Sequence, residues 1–137
     1  MFRKILAAVA GIVSALAVFM VVEGLSKRLY PYPAGLDPQD HHAMAAYITK
    51  LPSTALLVVL LGWVAGSLIC GFVIGVLSRS SAKTPSYIAG LFLTVSGIVN
   101  LFMFPHPIWF VIMGTTVFIP FTLLGHIMVP RRIAQPD

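Results

Sequence analysis

Between residues 84 and 130 the chain has no lysine, arginine, aspartate or glutamate. Residues 5–22 and 51–78 carry no charge either. Charged residues make up 9% of the whole sequence, where soluble domains run at about 25%. That scarcity excludes an ordinary soluble domain, and with it a soluble catalytic core. The lone cysteine, Cys70, excludes an internal disulfide. No H-x-x-x-H or H-E-x-x-H pair is present, so no metal-ligand spacing is written into a helix. No nucleophile stands at a diagnostic spacing from a base, which argues against an enzyme. No cofactor is expected. The net charge of +5 does not point to nucleic acid, because the basic residues fall in pairs beside the ends of apolar runs.

What is there is apolar and long. A helix crosses about 30 Å of hydrocarbon with roughly 20 residues. The charge-free stretch at 84–130 is too long for one crossing and suits two. Pro105-His106-Pro107 breaks it in the middle. The expected fold is an all-α integral membrane protein: a four-transmembrane-helix bundle forming a single domain over residues 1–137. The spans fall at about 5–25, 52–77, 85–104 and 107–129, with a tail at 130–137. The first run exceeds the roughly 7–15-residue core of a signal peptide. Its exit at residues 23–28 offers no small-x-small cleavage site, so it reads as a retained span.

The charges orient the spans. Arg3, Lys4, Arg79, Lys83, Arg131 and Arg132 fall on one side, and Lys27, Arg28 and Lys50 on the other. The positive-inside rule then sets both termini in the cytoplasm and residues 26–51 outside, in a bacterial inner membrane. Thr84-Pro85 reads as a helix cap with proline in the first position. Pro107 starts the last span in the same way. Such short links predict that spans two, three and four are sequential antiparallel neighbours.

The outer segment has local signals of its own. Each tyrosine in Tyr30-Pro31-Tyr32-Pro33 precedes a proline and is therefore extended. Asp37 reads as a helix cap, with Pro38 first and Asp40 in the first turn. Met44, Tyr47, Ile48 and Leu51 follow at helical spacing. Together they predict a short amphipathic helix at the membrane interface.

Helices in lipid gain no hydrophobic drive to associate, so close contact needs small residues. Ala7, Gly11 and Ala15 form one such row in the first span. The second span has two adjoining rows, one with Gly62 and Gly66, the other with Gly71 and Gly75. Gly90 and Gly97 mark the third. Two small rows make the second span the central helix, with more small surface than one neighbour needs.

Polar residues are few, and several map to one end. Glu23 extends the Ala7–Gly11–Ala15 row and stands about 28 Å above Lys4 along the helix. Asn100 lies about 8 Å below Pro105, and His106 is held between two prolines. With Tyr30, Tyr32 and Trp109 they predict an outward-facing polar pocket that both Glu23 and Asn100 enter from the bundle side. Asp37, Asp40, His41 and His42 form a separate outer cluster. His41, His42 and His106 are the only weak metal candidates. Thr115, Thr122 and His126 share a stripe near the inner end, around Pro120, where a threonine is expected to satisfy the carbonyl the proline frees.

These features favour a small accessory or interaction subunit, embedded in the bilayer and joined to a membrane-protein partner or a second copy of itself. A small-solute or ion transporter acting as an oligomer is a second reading. A membrane sensor or enzyme using the outer pocket is a third.

Overall fold

The computed structural model describes residues 1–79 and 82–130. The basic pair Arg131-Arg132 and the tail beyond it lie outside those residues. The described chain is helical, in six elements: α1 (Phe2–Leu29), α2 (His41–Lys50), α3 (Ser53–Ser78), α4 (Thr84–Met103), α5 (Ile108–Thr116) and α6 (Phe118–Ile127). Four helices are long and apolar enough to cross a membrane: α1, α3, α4, and α5 with α6 taken together over Ile108–Ile127.

Several boundaries differ from the sequence expectation, each for a physical reason. α1 runs four residues past 25 because helix geometry does not stop where apolar sequence does. Its 28 residues reach about 42 Å, longer than the hydrocarbon is thick. α4 begins at Thr84 itself, with Pro85 inside its first turn, so Thr84 is a helical residue and not the cap. The fourth span bends at Val117, between α5 and α6. Pro120 has no N–H for the carbonyl of Thr116 and its ring crowds that carbonyl. The nearby threonines do not repair the gap. Thr115 donates to the Val111 carbonyl (2.9 Å) and Thr116 to that of Ile112 (2.9 Å), one turn before the break.

α3 is the central helix. The share of its apolar stretch buried inside the protein is 44%, against 17% for α1. It packs chiefly against α1 and α6, and only slightly against α4, which leans on α6 instead. The expectation that consecutive spans are close neighbours therefore holds only weakly for α3 and α4. The reason lies in the small rows of α3. Gly62 and Gly66 sit under Val22 and Phe19 of α1. Gly71 and Gly75 face Thr122, His126 and Val129 of α6 and its end. The two rows take up α1 and α6, and no small row is left for α4.

The α3–α6 contact is backbone on backbone. A Cβ on Gly71 would meet the Thr122 carbonyl, and one on Gly125 would meet the Leu68 carbonyl. On the other flank, a Cβ on Gly11 would come within 2.8 Å of the Cys70 carbonyl oxygen. Arg3 ties the start of α1 to the end of α3 by donating from Nε to the Leu77 carbonyl (2.8 Å). The end of the protein near Arg3 and Arg79 is thus tightly closed.

Gly71→Ala should cost about 1–3 kcal/mol, the usual range for overpacking, because only backbone can yield there. Gly24→Ala is the control, since nothing lies within 4 Å of its added Cβ. It should be neutral or gain up to about 1 kcal/mol of helix propensity. Thermal unfolding in detergent checks both, and equal behaviour of the two variants would contradict the packing account.

Candidate functional site

The helices separate toward the opposite end, where side chains are bulky. Trp63 of α3 sits between Gly62 and Gly66 in the chain, off their row, and stacks obliquely on Phe110 (5.4 Å) and Phe118 (5.2 Å). Phe19 of α1 meets Phe118 edge-on at 6.4 Å. Phe118 is fully buried at the α5–α6 bend. Gly97 of α4 leaves the room its ring occupies. Above this aromatic floor is a cavity of about 390 Å³, within the range of ligand pockets.

The cavity wall is graded. Its floor and lower wall are Leu16, Phe19, Leu93 and Phe118; Leu56 and Val59 stand in the first turns of α3, level with a rim that also holds Glu23, Ser26, Lys27, Asn100 and His106. Met44, Tyr47, Ile48 and Leu51, the apolar spacing read in the sequence, all line it from the α2 side.

α2 lies across the rim and is held by side chains. Tyr47 donates its hydroxyl to the Tyr30 carbonyl (3.0 Å), and Tyr30 donates to Thr54 Oγ1 (2.9 Å). Tyr32 meets Tyr47 edge-on at 5.2 Å. Near the start of α2, His41 stacks on Phe104 of the α4 terminus (5.7 Å). Burial, and then the facing Tyr32, push the Tyr47 phenol above its ordinary value.

The start of α2 corrects the sequence expectation. The helix begins at His41, and Asp40 is the cap, its Oδ1 accepting from the backbone N–H of His42 (2.9 Å) and Ala43 (3.2 Å). Asp37 instead closes a preceding turn by accepting from Gln39 N–H (2.9 Å). Both aspartates are committed to backbone, and neither they nor His41 and His42 reach the cavity wall. Among the described residues no three metal-ligating side chains come together.

Glu23, Asn100, His106, Tyr30 and Tyr32 all line the one cavity. Trp109 does not; it turns its ring edge-on to Phe110 (5.7 Å) on the α5 side. Glu23 lies on the rim and not inside. Its side chain is 64% exposed and pairs with Lys27 at 2.7 Å. Asn100 is also exposed, and no hydrogen bond to its amide is formed by the described residues. Both were expected to point further inward. The neighbouring α1 and α4 stand too far apart at this end to bury them. His106 Nδ1 lies 2.8 Å from the Phe104 carbonyl. A carbonyl only accepts, so Nδ1 donates and Nε2 remains the basic atom. The His106 ring stacks on Phe110 at 5.2 Å. The arrangement can hold a molecule with an apolar body and hydrogen-bonding groups at one end.

The aromatic floor escaped the sequence reading, although Phe19 stands on the Ala7–Gly11–Ala15 row. So did a second polar pair. Ser86 Oγ lies 2.7 Å from His126 Nδ1, both buried, near the closed end. Ser86 is one step of four before Gly90, and that row was the available signal.

The Tyr47 shift has a definite sign. Its folded value is raised above the ordinary 10.0. Its contribution is therefore complete below that pH and lost as pH rises through the folded value. Phenolate absorbance should show a late-titrating step that Tyr47→Phe removes, and the lost hydrogen bond should cost about 1 kcal/mol. An unchanged titration curve would contradict the contact. No family model, curated protein or solved structure matches this chain.

Proposed function

We propose that this chain is a small integral membrane binding protein whose outward half forms a ligand cavity. One observation carries the reading: a cavity of about 390 Å³ with an aromatic floor and a polar rim, beside a tightly closed opposite half. In this reading the α2 end faces outward, with Lys27, Arg28 and Lys50. Arg3, Lys4, Arg79 and Lys83 lie on the cytoplasmic side. α2 rests at the interface as a cover for the cavity, and the four spans form one domain. The protein acts as a sensor or holder of its ligand.

The competing readings have less to support them. The accessory-subunit reading rested on the lack of a catalytic signature and on surplus small surface along α3; α1 and α6 take up both rows, which removes the second support. The transport reading requires a path through the midplane and inner half. There the Gly71–Thr122 and Gly125–Leu68 contacts bring backbone against backbone, and transporter sites lie in broken helices at the midplane. Chemistry at the rim would require a nucleophile beside a base. The rim provides an ion pair, an amide, an imidazole and the Ser26 hydroxyl, and among the described residues no hydrogen bond joins that hydroxyl to His106 or Glu23.

Native mass spectrometry of the chain extracted in mild detergent tests this. The expected result is a small-molecule adduct on one chain, lost in Val59→Trp, which fills the cavity, with helicity by circular dichroism unchanged. A bare chain bound stoichiometrically to another protein would overturn it in favour of the accessory reading.

A further inference from the structure

We infer that the ligand is an ester lipid of the surrounding leaflet, taken sideways between α1 and α4. This rests on the binding reading above and specifies its ligand. The first argument is the gradient along the cavity. From Leu16 at the floor to Lys27 at the rim is eleven helical residues, about 16 Å. Half the hydrocarbon thickness is about 15 Å. Apart from Ser96, whose hydroxyl is bonded within α4, the side chains at acyl-chain depth are apolar, and the charged and amide groups gather where the headgroup region begins. A wholly polar solute would not match the apolar faces that Phe19, Val59 and Trp63 turn to the cavity.

The second argument is the open side. The wall residues that stay exposed are Leu16, Glu23 and Lys27 on α1 and Ser96 and Asn100 on α4. They mark a cleft between these two helices. Leu16 and Ser96 stand at acyl-chain depth, so what they meet in a bilayer is lipid and not water. The axial route is covered by α2 through its Tyr47–Tyr30 and His41–Phe104 contacts.

The third argument is the amide of Asn100. Ser96 satisfies its own hydroxyl by donating to the Phe92 carbonyl (2.9 Å). Asn100 has no such partner among the described residues. It lies about 6 Å below Phe104, at the depth of the ester carbonyls of a glycerolipid. An ester oxygen accepts from the amide, while the acyl chain fills the aromatic floor. Glu23 and Lys27 neutralise each other at the rim, which suits a zwitterionic or uncharged headgroup.

The chain has two tryptophans, Trp63 and Trp109, and only Trp63 lines the cavity. Trp109→Phe therefore gives a single emitter on the cavity wall. This variant is reconstituted in vesicles of phosphatidylcholine brominated at mid-chain, and in the unbrominated lipid. The expected result is loss of Trp63 emission in the brominated vesicles, restored by Ser96→Phe, which blocks the cleft from an exposed position. Circular dichroism confirms that both variants fold. Emission insensitive to bromine but quenched by acrylamide would overturn lipid occupancy and leave a water-filled binding cavity standing. Emission insensitive to both quenchers would overturn the cavity itself, and with it the binding reading. Bromine quenching that Ser96→Phe leaves intact would overturn the sideways route.

Discussion

The carbonyl oxygens of Thr122 and Leu68 each rest against a glycine of the facing helix, Gly71 and Gly125. In lipid, where apolar burial offers no drive to associate, this approach of backbone to backbone is what holds two helices together. It fixes α6 on one flank of α3. The Gly62–Gly66 row and the Gly11–Cys70 contact fix α1 on the other. Both contacts use short side chains at the same end or middle of α3. Toward the α2 end the inward side chains become bulky: Trp63 stands between Gly66 and Gly62, and Val59 and Leu56 lie beyond. A helix that is small along one half and bulky at the other cannot lie parallel and close to its neighbours throughout. The cavity is the geometric remainder of that mismatch, floored by the rings that cause it.

Much of the fold was legible because its causes are local. Absence of charge marks spans, and proline marks their starts and the turn at Pro105–Pro107. The Met44–Tyr47–Ile48–Leu51 spacing identified the face of α2 that now lines the cavity. The convergence of Glu23, Asn100 and His106 was legible too, since helical steps place them at one end. What was illegible depends on partners. Nothing in the sequence says that the second row of α3 belongs to α6 and not to α4. Nor does spacing reveal that Phe118 closes the floor, because its position comes from the bend at Val117 and from the room left by Gly97. The choice of Asp40 over Asp37 as cap was similarly underdetermined. Both are good caps, and Asp37 is taken by its own turn.

The polar groups divide into two settings with different chemistry. Ser86 and His126 are buried near the closed end and bond each other at 2.7 Å. That pair joins α4 to α6, the contact that replaces the expected α3–α4 packing. Glu23, Asn100 and His106 stand at the rim of an open cavity. Asn100 and His106 keep hydrogen-bonding capacity there, at the amide and at Nε2. Groups left with unused capacity beside an apolar chamber are suited to meeting a ligand, whereas satisfied buried pairs are suited to holding helices. The apolar and glycine-rich midplane between the two settings separates them.

One half of the molecule, toward α2, holds an open cavity, and the other is closed by backbone contacts. Thiol labelling in oriented membrane vesicles tests it, with Cys70→Ser as background and single cysteines at Asn100, Ser67 and Ser86. Ser67 and Ser86 are fully buried and Asn100 is exposed. A membrane-impermeant thiosulfonate added on the α2 side should label Asn100→Cys rapidly and leave Ser67→Cys and Ser86→Cys unreacted. Labelling of either buried position at a rate like that of Asn100→Cys would reveal an open path through the midplane and contradict the account.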